Sequence, residues 1–204
     1  MPDEGAGGAV ERVALGLVEL DSIARGVFVA DAMAKTAPVE LVSATHATPG
    51  KFVIVIGGGV AEVEASLAKG LEAGSGHLID HLFLAQVDAQ VFPAIAGGTR
   101  AEIDAIGIVE TGTLSSAILA GDAAAKGASV RLLEIKLSRG LHGKGFVTMT
   151  GAVSDVEAGV EFGERAARAR GFFVSRAVIA RPHEDVARRL QEGRWGDIEG
   201  QPVF

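Results

Sequence analysis

Apolar runs and helical apolar spacings alternate along the chain in a fixed order: strand, helix, strand, strand, helix, strand. Val13–Glu19 is a short, β-branched apolar run that predicts a strand, and Ser22 can cap the helix that follows it. In that helix, apolar residues recur at helical spacing at Ile23, Val27 and Ala30/Ala34. The further elements predicted in this half are strand Val39–Thr45, strand Phe52–Ile56, helix Val60–Ala73, strand His77–Ala85 and a short helix Asp88–Ala94.

The second half of the chain repeats this pattern. Gly16–Val42 aligns with Gly107–Leu133 without a gap, and ten of the 27 pairs are identical, where unrelated sequences of ordinary composition give about two. The offset is 91 residues up to the second strand and 93 residues after the loop that follows it. The predicted elements are strand Ala105–Glu110, helix Thr113–Lys126, strand Val130–Leu137, strand Gly145–Thr150, helix Val153–Ala169, strand Phe172–Ala180 and short helix His183–Gln191. The two halves of the chain are therefore predicted to be a tandem duplication.

Each repeat is therefore predicted to be an α+β domain of ferredoxin-like type, β-α-β-β-α-β, with its helices on one face of an antiparallel sheet. We expect a first domain over residues 13–95 and a second over residues 104–192, with flexible tails at 1–12 and 193–204. The glycine-containing stretch Pro93–Arg100 is predicted to link the two domains.

Composition narrows the functional classes. The net charge is −7 and the basic residues are scattered, which argues against a nucleic-acid partner. The sequence has no cysteine, which excludes thiolate metal sites and cysteine-held iron–sulfur clusters. No apolar run approaches the ~18 residues of a membrane span. The first residues lack the apolar core of a signal peptide. We therefore expect a soluble, cytoplasmic protein without a membrane partner.

Candidate catalytic groups are few. His77 and His81 are four residues apart but fall in a strand pattern, where such positions lie about 13 Å apart, so we predict surface histidines and no metal site. The pair Ser115-Ser116 stands at a helix start and is predicted to cap it. Gly57–Gly59 lacks the spacing of a phosphate loop. We predict no catalytic residue and no cofactor.

Two loops at the same place in both repeats carry more information. They are His46–Gly50 and Ser138–Gly143, each between the second and third strands and each followed by a lysine, Lys51 or Lys144. A plain hairpin connection accounts for the glycines. The second loop, however, is longer than a tight hairpin needs and contains basic and apolar side chains. This favours a functional role.

The order of these motifs, found twice, resembles the bacterial microcompartment shell proteins. The similarity rests on the opening strand and helix, on Gly59–Glu64 and Gly151–Glu157 after the third strands, and on the closing segment Ile179–Asp185. Two copies imply the tandem-domain subclass, in which three chains form a six-lobed disc. Both copies begin with the usual first strand, so neither is permuted.

The resemblance implies roles for individual residues. The hairpin loops match those that line a central pore: His46, Ala47, Thr48, Pro49, Gly50, Ser138, Arg139, Gly140, Leu141, His142 and Gly143. Lys35, Lys126 and Arg181 match residues at the edge where neighbouring discs meet. The first repeat has Ala85–Asp88 in place of the motif that contains Arg181, so its edge is expected to differ.

We therefore expect a non-enzymatic shell subunit in the bacterial cytoplasm. Its expected partners are two further copies of itself, other hexameric and pentameric shell proteins, and small metabolites that pass through the pore. The alternative is a ligand-binding regulatory trimer of ferredoxin-like modules. Tiles or sheets seen by electron microscopy would favour the shell, and ligand-dependent stabilisation would favour the regulator.

Overall fold

A computed structural model describes residues 12–47, 50–137 and 143–191. The described part of the chain forms two compact units. The first comprises residues 12–46 and 50–87, and the second comprises residues 88–137 and 143–191.

The first unit is a four-stranded antiparallel sheet with two helices. In chain order its elements are β1 (Ala14–Leu20), α1 (Ile23–Thr36), β2 (Glu40–Ala47), β3 (Lys51–Gly58), α2 (Val60–Ala73) and β4 (Leu78–Leu84). The strand order across the sheet is β2-β3-β1-β4, so β1 lies between β3 and β4 and is antiparallel to both. The Ser22 hydroxyl accepts a hydrogen bond from the Arg25 N–H, which confirms the predicted cap of α1.

The second unit repeats this topology and adds two short helices. Its elements are α3 (Val91–Ile95), β5 (Ala105–Thr111), α4 (Leu114–Gly127), β6 (Arg131–Leu137), β7 (Gly145–Gly151), α5 (Val153–Ala169), β8 (Phe173–Ile179) and α6 (Glu184–Gln191). The strand order is β6-β7-β5-β8. The predicted fold class, two tandem α+β domains, is confirmed.

The helices of each unit pack on one face of its sheet. In the first unit the core between helices and sheet contains Val18 and Ile54 from the strands and Val29, Met33 and Val63 from the helices. Glycines allow close approach: a Cβ on Gly107 of β5 would lie 2.7 Å from Val160 Cγ2 of α5. Small residues at the contact therefore let the helix lie close to the strand.

Two expectations about local structure need correction. The linker predicted at Pro93–Arg100 starts later, because Pro93 lies inside α3, which extends to Ile95. Ser115 and Ser116 do not cap α4. Thr113 is the N-cap: its backbone is extended and its hydroxyl accepts from the Ser116 N–H, while both serine side chains are buried beside it.

The short helix α3 packs against β6 and α4 of the second unit. Gln90, just before α3, accepts a hydrogen bond from the Leu132 N–H at 3.0 Å through its side-chain oxygen. The limits of the two sequence repeats, 13–95 and 104–192, stay a prediction.

Candidate pore hairpins and tile edges

The two predicted pore loops connect equivalent strands, β2 to β3 and β6 to β7. His46 and Ala47 are the last residues of β2, and Gly50 and Gly143 occupy equivalent turn positions. Both glycines have a positive φ, 72° and 82°, which other L-residues rarely adopt. The remaining predicted pore residues lie outside the described residues: Thr48, Pro49, Ser138, Arg139, Gly140, Leu141 and His142.

A lysine at the base of each hairpin pairs with a glutamate of the central strand. Lys51 Nζ lies 3.4 Å from Glu19 Oε2, and Lys144 Nζ lies 2.8 Å from Glu110 Oε1. The first pair is more buried, with side-chain exposures of 15% for Lys51 and 0% for Glu19, against 42% and 32% in the second. Each pair joins the residue that follows the loop to the neighbouring strand, β1 or β5, with which β3 or β7 is already paired through the backbone.

The predicted edge lysines both form ion pairs within their own helices, but in different surroundings. Lys35 Nζ lies 2.7 Å from Asp31 Oδ2, and both side chains are exposed. Lys126 Nζ lies 2.6 Å from Asp122 Oδ2, and the Asp122 side chain is only 6% exposed.

Asp122 makes a further contact that distinguishes the two lysines. Its Oδ1 accepts a hydrogen bond from the Asp88 N–H at 2.8 Å. Lys126 is therefore paired with a carboxylate that is itself fixed in the structure, whereas Lys35 is paired with a solvated one. Arg181, the third predicted edge residue, is exposed just after β8.

Apolar residues on the outside of each unit are the feature that sequence reasoning missed. Ile23, Val27 and Phe28 of α1 are 49%, 57% and 56% exposed. The core-facing residues of α1 are instead Gly26, Val29, Ala30 and Met33. A second apolar group is exposed on β8, where Val174 and Val178 are 42% and 37% exposed. The sequence does place apolar residues on both sides of α1, and this was the feature from which an exposed apolar side could have been predicted.

Among the described residues, no group of three or more histidine or acidic side chains is arranged to hold a metal ion. His77 Nδ1 contacts Asp21 Oδ1 at 2.8 Å. No helix in the described part of the chain is long and apolar enough to span a membrane.

Comparison with known proteins agrees with this architecture. The BMC domain family matches residues 14–87 and 105–182. The chain is 39% identical to the bacterial microcompartment shell protein PduT of Citrobacter freundii, over 88% of this chain and 98% of the relative. It is 40% identical to the shell protein PduA of the same organism over 92 residues, which cover 44% of this chain and 95% of PduA.

A solved structure extends the similarity to three dimensions. A microcompartment protein from Desulfitobacterium hafniense superposes with a TM-score of 0.83 at 42% identity, over 87% of this chain and 99% of the other. Each matched segment coincides with one β-α-β-β-α-β unit, and both units begin with the same first strand. The chain therefore belongs to the BMC domain family, as a bacterial microcompartment shell protein that carries two unpermuted domains in tandem.

Proposed function

We propose that three copies of this chain close head to tail into a six-domain tile of a microcompartment shell, with a central pore for small metabolites and no catalytic role. The tile packs edge to edge with other hexameric and pentameric shell proteins. The observation that supports this proposal is an imbalance in exposed apolar surface between the two repeats.

Apolar residues of α1 are exposed, whereas the equivalent residues of α4, its counterpart in the second repeat, are buried. Ile23 and Val27 are 49% and 57% exposed, whereas Leu114 and Ile118, at the equivalent positions, are 5% and 0% exposed. Exposed apolar patches of this kind are typical of protein interfaces. The α1 surface, defined as Ile23, Val27 and Phe28, is therefore available to a partner.

The fourth strands show the opposite imbalance at one position: Leu82 of β4 is 4% exposed, whereas its counterpart Ala177 of β8 is exposed. Val174 and Val178 of β8 are 42% and 37% exposed, and Ile79, the β4 counterpart of Val174, is equally exposed at 41%. We call Val174, Ala177 and Val178 the β8 surface, in which Ala177 lies on the opposite face of this edge strand from the two valines. Because the α1 and β8 surfaces are different and lie on different repeats, a contact between them joins unlike sides of two chains. Chains that associate through such heterologous contacts form either a closed ring or an open filament, and only the ring has a fixed number of chains.

The number of chains in the ring follows from the family resemblance, which implies six domains. Sedimentation of the purified chain should give a species of about 60 kDa, three times the 20.9 kDa chain. Phe28→Asp should release monomers, because it places a charge in the contact. Val60→Asp is the matched control: Val60 is 39% exposed but lies on α2, outside both surfaces.

Mixing two defective variants tests the head-to-tail geometry. Phe28→Asp keeps an intact β8 surface and Val178→Asp keeps an intact α1 surface, so an equimolar mixture should contain a heterodimer with one good contact. Neither variant alone should self-associate. A stable monomer or dimer of the unmodified chain at micromolar concentration would overturn the ring.

For the pore we propose the two sets of hairpin loops, Ser138–Gly143 alternating with His46–Gly50 around the axis. The Lys51–Glu19 and Lys144–Glu110 pairs support this role, because they recur at the base of both loops and so mark the loops as equivalent. Arg139 supplies the fixed positive charge of the loop sequences, which favours small anions.

For the edges we propose Lys35, Lys126 and Arg181. A lysine stem can lie along an apolar edge while its ammonium group reaches backbone carbonyls of the neighbouring tile. Lys35 is the more adaptable of the two lysines because its partner Asp31 is 58% exposed.

A further inference from the structure

The segment that closes the first repeat is covered by residues of the second repeat. This segment, Asp88–Ile95, follows the last strand of the first repeat, and its helix α3 packs against β6 and α4 of the second unit. Val91, Phe92 and Ala94 are buried there, with exposures of 0%, 3% and 1%. The closing segment of one repeat thus docks on the repeat that follows it in the chain.

The side chain of Gln90 bonds this segment to the free edge of β6. Its Nε2 donates to the Val130 carbonyl at 3.3 Å, and its Oε1 accepts from the Leu132 N–H at 3.0 Å. β6 is an edge strand, because the strand order of its sheet is β6-β7-β5-β8. The outer side of an edge strand carries backbone groups that are free to bond a partner. Here the partner is a side chain of the closing segment.

The second repeat ends in an equivalent segment, which contains α6. The pairing of β4 with β1 and of β8 with β5 gives an offset of 95 residues, so His183 corresponds to Asp88. The carbonyl of each residue accepts a hydrogen bond from a valine N–H three residues later, at 3.0 Å for Asp88 and 2.9 Å for His183. The side chain of each accepts from the N–H two residues later, at 3.0 Å and 3.3 Å. The two segments therefore begin with the same local structure.

The apolar side of α6 is less covered than that of α3. Val186 and Ala187 correspond to Val91 and Phe92, but they are partly exposed where the residues of α3 are buried. Leu190 is the only buried residue of α6. The second closing segment thus has the apolar side of the first without the surface that covers it.

The receiving surface of the first repeat is uncovered as well. Leu41 of β2 corresponds to Leu132 of β6, but it is 44% exposed, whereas Leu132 is fully buried. β2 is the edge strand of its sheet, whose order is β2-β3-β1-β4. Among the described residues, no group outside the sheet bonds the Leu41 N–H, the counterpart of the N–H that Gln90 accepts from. The first repeat therefore has an open docking edge.

The charges of the two open surfaces differ from those of the closed contact in a complementary way. Arg189 of α6 stands at the position of Ala94 and forms no ion pair with the described residues. Glu40 of β2 stands at the position of Arg131, so the receiving strand has exchanged a positive charge for a negative one. Glu40 is paired at 3.5 Å with Arg12, and both side chains are exposed. The incoming helix is more positive where the receiving strand is more negative.

We propose that α6 of one copy docks on the free edge of β2 in the next copy of this chain, as α3 docks on β6 within the chain. Val186 covers Leu41, and the carboxylate of Asp185, at the position of Gln90, accepts a hydrogen bond from the Leu41 N–H. Because α6 follows β8 closely in the chain, both reach the same neighbouring copy. This docking rests on the proposed ring and names the segment that crosses from one copy to the next.

Cysteine cross-linking of the full chain tests the contact directly, since the sequence contains no cysteine of its own. The variant with Leu41→Cys and Val186→Cys, treated with a short bismaleimide, should give linked species of two and three chains in denaturing gel electrophoresis. Leu41→Cys with Val60→Cys is the matched control: Val60 is 39% exposed on α2 and should give single chains. Neither substitution of the test pair removes a fully buried side chain, so the variant should fold as the unmodified chain does.

A charge exchange tests which residues face each other. Arg189→Glu and Glu40→Arg should each raise the dissociation constant of the assembly about tenfold, because like charges then meet across the contact. The double variant should return it to near that of the unmodified chain. Arg12 beside Glu40 adds the same repulsion to the single and the double variant, so the recovery reports on Arg189 alone. Arg165→Glu reverses the same charge on α5 and should not restore association to Glu40→Arg.

The outcomes separate this docking from the proposed ring. Linked species of two and three chains, together with recovery in the charge exchange, support the docking. A species of about 60 kDa in sedimentation that gives no links between chains, or links only within single chains, overturns the docking and leaves the ring. Links between chains without a 60 kDa species support the docking and overturn the three-chain ring. Single chains in both experiments overturn both.

Discussion

The ring of Phe52 fills the space into which a β-carbon on Gly26 would project. Such a Cβ would lie 2.3 Å from Phe52 Cγ. In the second unit the equivalent residues are Ala117 and Gly145, and there a Cβ on Gly145 would lie 2.9 Å from the Ala117 Cβ. The contact between first helix and third strand thus has its large residue on the strand in one repeat and on the helix in the other. In each repeat a glycine on one element makes room for the side chain on the other, although alanine fills much less space than phenylalanine.

Gly26→Ala should therefore destabilise the protein by about 1–3 kcal/mol, the usual range for overpacking. The gain of up to about 1 kcal/mol in helix propensity offsets only part of this. Thermal or urea unfolding measures the change. The double variant with Phe52→Ala should be more stable than the sum of the two single effects predicts, because removal of the ring relieves the overlap.

Gly58→Ala serves as the comparison for this prediction. Its Cβ would meet Val63 Cγ2 at 3.5 Å, an ordinary van der Waals contact. The cost should accordingly be smaller than that of Gly26→Ala. Additive effects of Gly26→Ala and Phe52→Ala would show that the two residues do not compete for space.

The sequence predicted the order and type of the elements well because both periodicities recur in two copies. Helices Val60–Ala73 and Val153–Ala169 have the predicted bounds, since glycine and small residues delimit them. The cap of α4 was wrong for a local reason. Three hydroxyl residues at 113, 115 and 116 can all cap a helix, and only the extended backbone of Thr113 (φ −141°) identifies the one that does.

The side of α1 that faces the core could not be predicted in the same way. Ile23 and Val27 have the expected helical spacing but are exposed, while Gly26 and Met33 are buried. Glycine carries no hydropathic signal, and an apolar stripe that faces a partner is indistinguishable in sequence from one that faces the protein's own sheet. The hydrogen bond from the Asp88 N–H to the Asp122 carboxylate could not be predicted from the sequence either, because it joins residues distant along the chain.

The two hairpin ion pairs should differ in their contribution to stability. Glu19→Gln leaves Lys51, which is only 15% exposed, without its buried counter-charge, and should cost about 3 kcal/mol, the lower end of the range for buried pairs. Glu110→Gln affects a pair that reaches solvent and should cost less than about 1 kcal/mol. Guanidinium chloride unfolding of both variants measures the difference. Equal costs would show that burial does not govern these pairs.

The proposed edge lysines should control assembly of tiles into sheets. Lys35→Glu combined with Lys126→Glu should leave the trimer intact by sedimentation and abolish sheets in electron micrographs. Lys69→Glu makes one such Lys-to-Glu change on α2, half the charge change of the double variant, and should not affect sheets. Sheets like those of the unmodified protein from the double variant would contradict the edge assignment.

Single substitutions should reveal an asymmetry between the two edges. Lys35 can exchange Asp31 for a neighbouring tile at little cost, since exposed helix pairs contribute about 0.3–0.5 kcal/mol. Lys126 is held by Asp122, which is 6% exposed and also bonded to the Asp88 N–H. Lys35→Glu alone should therefore raise the protein concentration needed for sheets more than Lys126→Glu alone. The reverse order would show that the fixed lysine makes the stronger contact.

The pore should favour small anions over cations of the same size, although the chain carries a net charge of −7. Lys51 and Lys144 at the hairpin bases are already paired with glutamates, so they add little net charge. Arg139 supplies the fixed positive charge, and His142 adds to it only when its imidazole is protonated. Flux of a matched anion and cation across reconstituted shells should show the preference, and Arg139→Ala should reduce it.

The control for this selectivity is Arg131→Ala. Arg131 begins β6 and the loop follows its end at Leu137, so the removed charge lies about 20 Å from the loop at 3.3 Å per residue. Arg131→Ala lowers the net charge by the same amount as Arg139→Ala and should leave the ratio of anion flux to cation flux unchanged. Lower pH should strengthen the anion preference more in the unmodified protein than in His142→Ala, because His46 of the other loop remains in the variant. Equal fluxes of anion and cation, unaffected by either loop substitution, would contradict the proposed selectivity and leave the shell role intact, because the proposed tile contacts are the α1 and β8 surfaces and do not involve the loop charges.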